Sequence, residues 1–500
     1  MPPLDRKLHA MSRQCNAAFV VVLLSGCTTL IPPYTTPDNS TLPAHYQQRS
    51  GKKSEDAALT SAADKTWQSY FPDPHLQALI RQALLHNHDL RSAALRVRQA
   101  QAAYRIERSA LTPTVALGVD AKRSRTPADL TEIGQTSTGN EFKAGVGISS
   151  WEIDFWGRIT SLNEEALQQF LATQAGHQAV TISLVAQVAD AWISLRELDK
   201  RLHLANVAQA NQSESLRIFT RRFEMGSVTK LELTQVQTLL TQAEALTLQL
   251  QQQRDLQHNA VNLLVGQVDL VDANYRPVAD QTLVQPLDAG LPSDLLINRP
   301  DIVAAEHRLR AANAHIGAAR AAFFPRISLT AFGGLASAEL SDLFSASSRA
   351  WNFAPSLSLP VFDGGLNQAN LDLANVRKHL AVVEYEQTIQ SAFRDVADAL
   401  AKQHWLQQQL SVQQQAVEIQ EERSRLALLS HDRGRSSFLE VLDAERDRLQ
   451  AQQQEVQAQH ALLRNRVALY AALGGGSRHV PNAPLLDQPS STLFSDIAEE

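Results

Sequence analysis

Two long stretches free of helix breakers restrict this chain more than any other feature. From Gly157 to Gly226 there is no proline and one internal glycine, Gly176; from Leu366 to Arg433 there is neither. At about 1.5 Å per residue, a helix filling either stretch is about 100 Å long. No compact domain holds such a helix, so each must be a coiled coil or a strut. Ile389, Ala392, Val396, Ala399, Gln403, Leu406, Leu410, Gln413 and Val417 follow a 3-4 spacing, the pattern of a seam between side-by-side helices.

The two stretches belong to two copies of one plan. "HDLRSAALRVRQAQAAYRIERSALTPTVAL" from His88 matches "PDIVAAEHRLRAANAHIGAARAAFFPRISL" from Pro300, with Asp89 over Asp301 and Pro113 over Pro325. "FWGR" at 155–158 matches "FDGG" at 362–365, and "GSVTKLEL" from Gly226 matches "GRSSFLEV" from Gly434. Each copy reads as a helix of about 25 to 35 residues stopped before a proline, two short strands, one very long helix, and a returning helix after a glycine. In the strands, Val115, Leu117, Val119 and Ala121 alternate with small or polar residues, and "FKAGVGIS" (142–149) pairs with them. Ile327, Leu329 and Ala331 form one strand of the second copy; Trp351, Phe353, Leu357 and Leu359 share a face of the other.

Four strands cannot close a barrel, and open sheet edges are not tolerated in lipid. If these strands enter a membrane, the chain must oligomerise; a cyclic trimer supplies twelve strands, and the long helices extend the cylinder. A soluble pair of hairpins on a helical bundle is the alternative. Past the N-terminus no segment reads as long and apolar enough to span as a helix. The net charge of −6 gives no broad basic face for nucleic acid.

The apolar run Ala17–Leu24 follows Arg6, Lys7 and Arg13 and ends "LSGC". Eight residues are too few to span a bilayer, so this is a secretory signal. The ending resembles the lipobox of bacterial lipoproteins, which implies that Cys27 is acylated and becomes the N-terminus. The absence of aspartate at Thr28 then favours the outer membrane. Cys15, the other cysteine, leaves with the signal, so no internal disulfide is possible in the mature chain.

"WQSYFPDPHLQALIRQALLHNHDLRSAALRV" (67–97), "WEIDFWGR" (151–158), "LPSDLLINRPDI" (291–302), "PVFDGG" (360–365) and "RGRSSFLEVLDAERDRLQAQQ" (433–453) together resemble the outer-membrane factor family. These are TolC-like exit ducts of tripartite efflux pumps; the resemblance is to the lipoprotein branch serving RND pumps. Asn298 stands where many relatives carry arginine. The resemblance implies a mainly α fold with a small β-barrel: a trimeric, twelve-stranded outer-membrane barrel continuing into a periplasmic α-helical barrel.

Along the chain this gives a signal peptide (1–26), an acylated tether (27–66) and a first repeat (67–266, strands about 113–125 and 140–153). An equatorial segment (267–298), a second repeat (299–474, strands about 325–336 and 351–361) and a flexible tail (475–500) follow. The implied partners are two further copies of the chain, a periplasmic adaptor, an inner-membrane RND transporter and outer-membrane lipid, with no nucleic acid. The implied function is passive export of drugs or other small molecules. A protein-secretion duct of the same fold and a non-inserting periplasmic coiled-coil scaffold are the alternatives.

No acid–base, nucleophile or metal constellation emerges, so neither an enzyme nor a cofactor is expected beyond the lipid on Cys27. "HNHD" (86–89) could suggest metal ligands, but its repeat partner "NRPD" (298–301) has no histidine, and both suit a helix start. The expected sites are therefore mechanical. After Gly434 come Leu439, Glu440 and Asp443, the last two at i and i+3. The resemblance implies that this helix lines the closed periplasmic end, where three copies of Leu439, Glu440 and Asp443 would ring a narrow pore. Acidic rings favour cations and repel anions. The first copy has Glu232 and Gln235 at these places, so the gate would be asymmetric. The turns Gly226-Ser227-Val228 and Gly434-Arg435-Ser436 would form the tip at which the adaptor docks.

Overall fold

The computed structural model describes residues 29–37, 62–267, 284, 287 and 294–483. Cys27 and the signal segment lie outside the described residues. The duplication is realised nearly residue for residue. The first copy is α2 (His88–Ser109), β1 (Val115–Thr126), β2 (Ser137–Ile153), α3 (Arg158–Glu224) and α4 (Lys230–Val265), preceded by α1 (Pro74–His86). The second is α5 (Pro300–Ala321), β3 (Arg326–Ser337), β4 (Arg349–Ser358), α6 (Leu366–Asp432) and α7 (Phe438–Ala472). Helices α3 and α6 are each 67 residues long. The pre-strand helices α2 and α5 are 22 residues each, shorter than expected. The first is cut short at its start because Asn87 ends α1 and caps α2, its side chain accepting from Leu90 N at 2.9 Å.

The four strands form one antiparallel sheet in the order β1-β2-β3-β4, so the hairpins of the two repeats abut through β2 and β3. The register places Val115, Leu117 and Val119 beside Ile148, Val146 and Ala144, which continue to Ala331, Gly333 and Leu335. Gly333 and Ala331 in turn face Trp351 and Phe353. All the apolar alternates thus share one face. A bulge between Ile148 and Trp151, with Ser150 at φ 50°, switches the parity of β2. Without it Trp151 and Ile153 would point to the opposite face. On that opposite face Gly145 pairs with Gly334, and a Cβ on either would come within 2.6 Å of backbone across the pair. The polar face is therefore closed to any side chain at this pair. Among the described residues, the outer edges of β1 and β4 have no partner strand.

The long helices supply the frame. Helix α3 packs against α1, α2, α4, α5 and α7, while α6 packs against α5 and α7. The main core lies at mid-length, where Trp192, Ile193, Ile302, Leu309, Ile389 and Val396 are buried. One 18-residue window of α3 is long and apolar enough to cross a membrane by composition, contrary to the sequence expectation; over half of it is buried in this core. The seam of α6 is confirmed at Ile389, Ala392, Val396, Ala399 and Val417, all buried.

The C-terminal segment corrects the expected tail at 475–500 and the end of the tether at 27–66. Residues 475–483 are ordered against a short 3-10 turn, Ala62–Asp64. Gly476 N donates to Ala62 O at 3.0 Å, and Arg478 pairs with Asp64 at 2.8 Å. Tyr70 stacks on Tyr470 at 4.3 Å, and Gly475 sits so close to the Tyr470 ring that a Cβ would lie 2.3 Å from it. Residues 29–37 form neither helix nor strand and are laid along α5. Asn313 Nδ2 donates to Pro32 O at 2.8 Å, Tyr34 Oη to Glu306 at 3.3 Å, and Arg310 lies over the Tyr34 ring.

Candidate functional site

Both long helices end in the same turn. Gly226 and Gly434 are left-handed, at φ 71° and 70°. Gly226 N donates to Phe223 O and Ser227 N to Arg222 O; Gly434 N donates to His431 O and Arg435 N to Ser430 O. This is the Schellman arrangement, with the glycine in the one position where a side chain would be strained. The next helices start at once. Thr229 caps α4 through a closed capping box with Glu232, whereas Ser437 caps α7 without a side-chain bond, leaving Glu440 exposed at the equivalent position.

The two turns are held side by side by a small apolar cluster of Phe219, Leu233, Val236 and Leu442, with Val228 and Phe438 against it. Phe219 and Phe438 are 4.6 Å apart. Of the tip residues singled out in the sequence, Gly226, Ser227, Gly434 and Arg435 are exposed. Val228 instead packs inward, and Ser436, half-buried, offers its carbonyl to His431 Nδ1 at 3.2 Å. A docking partner therefore meets mainly backbone and Arg435.

Leu439, Glu440 and Asp443 come together on the outward face of the first two turns of α7, opposite buried Val441, Leu442 and Ala444. Leu439 is 40% exposed, ample for a large apolar side chain. Sequence reasoning missed Arg446, which sits one turn on and pairs with Asp443 at 3.2 Å. Arg446 also bonds Asp447, which is held by Arg423 of α6 at 2.6 Å. Asp443 is thus one end of a charge chain tying α7 to α6. The i+3 spacing of Arg446 was the available signal.

At mid-length, Arg299 occupies the site that "RPDI" marks. It pairs with Asp301 and with Asp395 of α6, each at 3.0 Å, and donates to the carbonyls of Ala392 and Ala472. One guanidinium therefore joins the start of α5 to α6 and the end of α7. Asn298 beside it is buried, its carbonyl against Gly474. Near the sheet, Thr29 lies against Gly157, at the junction of β2 and α3. Asp154 there accepts from the amides of Ile159 and Thr160, and Glu152 holds Arg158.

A duplicated frame of long helices with a sheet apolar on one face at one end and paired turns at the other is the geometry of a duct wall. The sequence profile described as outer membrane efflux protein matches residues 79–267 and 291–475, one span per repeat. The chain belongs to the outer membrane efflux protein family. Over 93% of its length the channel is 41% identical to the toluene efflux pump outer membrane protein TtgF of Pseudomonas putida, 98% of which is covered. It is 38% identical, over 92% of its length and 95% of the relative, to outer membrane protein OprJ of Pseudomonas aeruginosa. A crystal structure of a Pseudomonas aeruginosa membrane protein matches 89% of the chain and all of that protein with a TM-score of 0.83 at 36% identity. The open state of the Neisseria gonorrhoeae MtrE outer membrane channel matches 90% of the chain and 98% of that channel with a TM-score of 0.81 at 34% identity.

The channel is thus an outer-membrane exit duct for efflux, mainly α with a small β-barrel. Four strands with two open edges close in a trimer as a twelve-stranded barrel, and the helices carry the duct into the periplasm. The scaffold alternative, in which the strands stay out of the membrane, does not stand.

Proposed function

We propose that the channel is a passive conduit for small molecules, coupled through a periplasmic adaptor to an inner-membrane RND transporter. The observation that carries this reading is the tip: two identical glycine turns fixed side by side, presenting backbone and Arg435 outward. Such a surface is suited to receive a partner. Relatives named for toluene, solvent and antibiotic efflux support apolar or amphiphilic small molecules as cargo. Selection among them would rest with the transporter. The reading includes no catalytic step and no cofactor other than lipid on Cys27. Thr29, two residues on, lies at the foot of the sheet, where an acyl chain on Cys27 would reach the inner leaflet.

At the closed end, Leu439 would resist wetting, and Glu440 with the Asp443–Arg446 pair would set the charge of the constriction. Expression in a strain that has its own adaptor and transporter but lacks the outer-membrane channel tests the proposal. Restored tolerance to toluene or antibiotics is expected. Trimers present in the outer membrane at normal amounts with no gain in tolerance, and a polypeptide newly appearing in the medium, would favour the protein-secretion alternative.

A further inference from the structure

The charged residues of the sheet divide by face. On the polar face, Asp120 stands opposite Lys143 and Lys122 opposite Glu141, and Lys143 bonds Glu141 at 2.5 Å. Those charges are balanced and paired. On the apolar face, the alternation Val115, Leu117, Val119, Ala121 continues without a break to Arg123 and Arg125. On β4 the alternation Leu357, Pro355, Phe353, Trp351 continues to Arg349. All three arginines are exposed, and none of their side chains makes an ion pair or hydrogen bond with a described residue. They lie at the ends of the strands away from the helices, next to the loops 127–136 and 338–348. Carboxylates occur there too, at Asp129, Glu132, Glu339 and Asp342, but on the loops, and none pairs with these arginines.

Three unpaired arginines on the lipid side of a barrel have to be explained, because a cation facing hydrocarbon is costly unless it reaches a counter-ion. Strands β1 and β4 are the open edges of the sheet. In the closed barrel β1 of one copy therefore runs antiparallel to β4 of the next. For the apolar faces of both strands to point to lipid, odd-numbered residues of β1 must oppose odd-numbered residues of β4; the registers nearest to flush ends that do so set Arg349 opposite Arg123 or Arg125 on the same face. Each subunit junction then carries an arginine triad just above an apolar band of Val119, Leu117, Trp351 and Phe353.

We propose that this triad binds the phosphate of a phosphorylated lipid headgroup in the outer leaflet, with its acyl chains lying on the apolar band below. Arginine is suited to this, because its planar fork donates two parallel bonds to a phosphate and is weakly hydrated. The site exists only in the assembled barrel, since β1 and β4 of different copies complete it. The inference rests on the trimeric barrel, which heat-modifiable migration reports on separately.

Native mass spectrometry of purified trimers tests the site, with lipid A carrying both phosphates, its dephosphorylated form, and inorganic phosphate as probes. Bound lipid should approach one per subunit junction, and dephosphorylation should weaken binding by about tenfold or more, as loss of a charge-assisted bidentate contact requires. Arg123→Gln, Arg125→Gln and Arg349→Gln together should do the same, while Lys122→Gln with Lys143→Gln on the lumen face should leave binding unchanged. Equal binding of the two lipids to the wild-type trimer overturns the proposal whether or not the triple variant assembles. So does undiminished binding by an assembled triple variant. Displacement of the lipid by inorganic phosphate at equal concentration would make this a free-anion site and would also overturn it.

Discussion

At the residue scale, single positions do separable jobs. Gly226 and Gly434 have open space around an added Cβ, so a substitution there meets only the left-handed backbone penalty. Gly226→Val or Gly434→Val should cost about 1–2 kcal/mol locally and lower adaptor cross-linking, with trimers persisting. Wild-type cross-linking by both variants would remove the tip assignment. Cys27→Ser should abolish incorporation of labelled fatty acid; equal label in variant and wild type would show that Cys27 is not the acylated residue. Burial pushes the His460 imidazole down to about 4, while its Nδ1 lies 3.2 Å from Ile193 O of the neighbouring helix. A base held below its unfolded pKa binds fewer protons folded than unfolded. Stability should therefore decline as pH falls from about 6.5 toward about 4, and His460→Gln should flatten that decline in thermal melts. His315, raised by its bond to Glu165 on α3, has the opposite sign: its contribution is full at low pH and fades as pH rises past its folded pKa. The glycines and Leu439 were legible in the sequence as turn and gate candidates. Arg446 was missed although its i+3 spacing from Asp443 was readable, because on a helix of mixed charge the spacing alone does not say which of several charges share a face.

At the scale of elements, periodicity carried most of the information. Both 67-residue helices are bounded within a residue or two by left-handed glycines, Gly157 and Gly226 for α3 and Gly365 and Gly434 for α6, since only such backbone breakers end a helix braced along its length. Strand alternation located all four strands, with β2 starting earlier and β4 ending earlier than expected. The bulge in β2 went unread, although the shift of apolar residues from even positions up to Ile148 to odd ones from Trp151 records it. Ser150→Val, whose β-branched side chain disfavours the φ of 50° that the bulge requires, should favour a regular strand, turn Trp151 and Ile153 inward and reduce heat-modifiable trimers in the outer membrane; a variant that assembles normally would show that β2 keeps its bulge without Ser150. The ordering of 475–483 was illegible for a different reason. Its polar, glycine-bearing sequence resembles a loose end, and only the contact with Ala62–Asp64, some 400 residues away, fixes it. Local composition cannot report a partner so distant in sequence.

At the scale of the whole molecule, the account is of a wall that becomes a duct only in threes. A single chain leaves two strand edges open and large apolar side chains such as Leu117, Trp351 and Phe353 exposed, at 81%, 82% and 61%. The barrel covers the edges and the membrane covers the side chains. Duplication, sheet and long helices were readable from sequence because each is a periodic signal. The clamp at Arg299, which joins α5, α6 and α7, emerged only once three elements were placed together. Planar-bilayer recording of purified trimers tests the central claim most directly. The account predicts discrete channels with low resting conductance and cation preference. Leu439→Ala should raise the resting conductance, and Asp443→Ala with Glu440→Ala should reduce the cation preference. Trimers that insert yet conduct equally with and without Leu439, and keep their selectivity without both carboxylates, would contradict the gate; purified protein that never forms a conducting channel would contradict the duct itself.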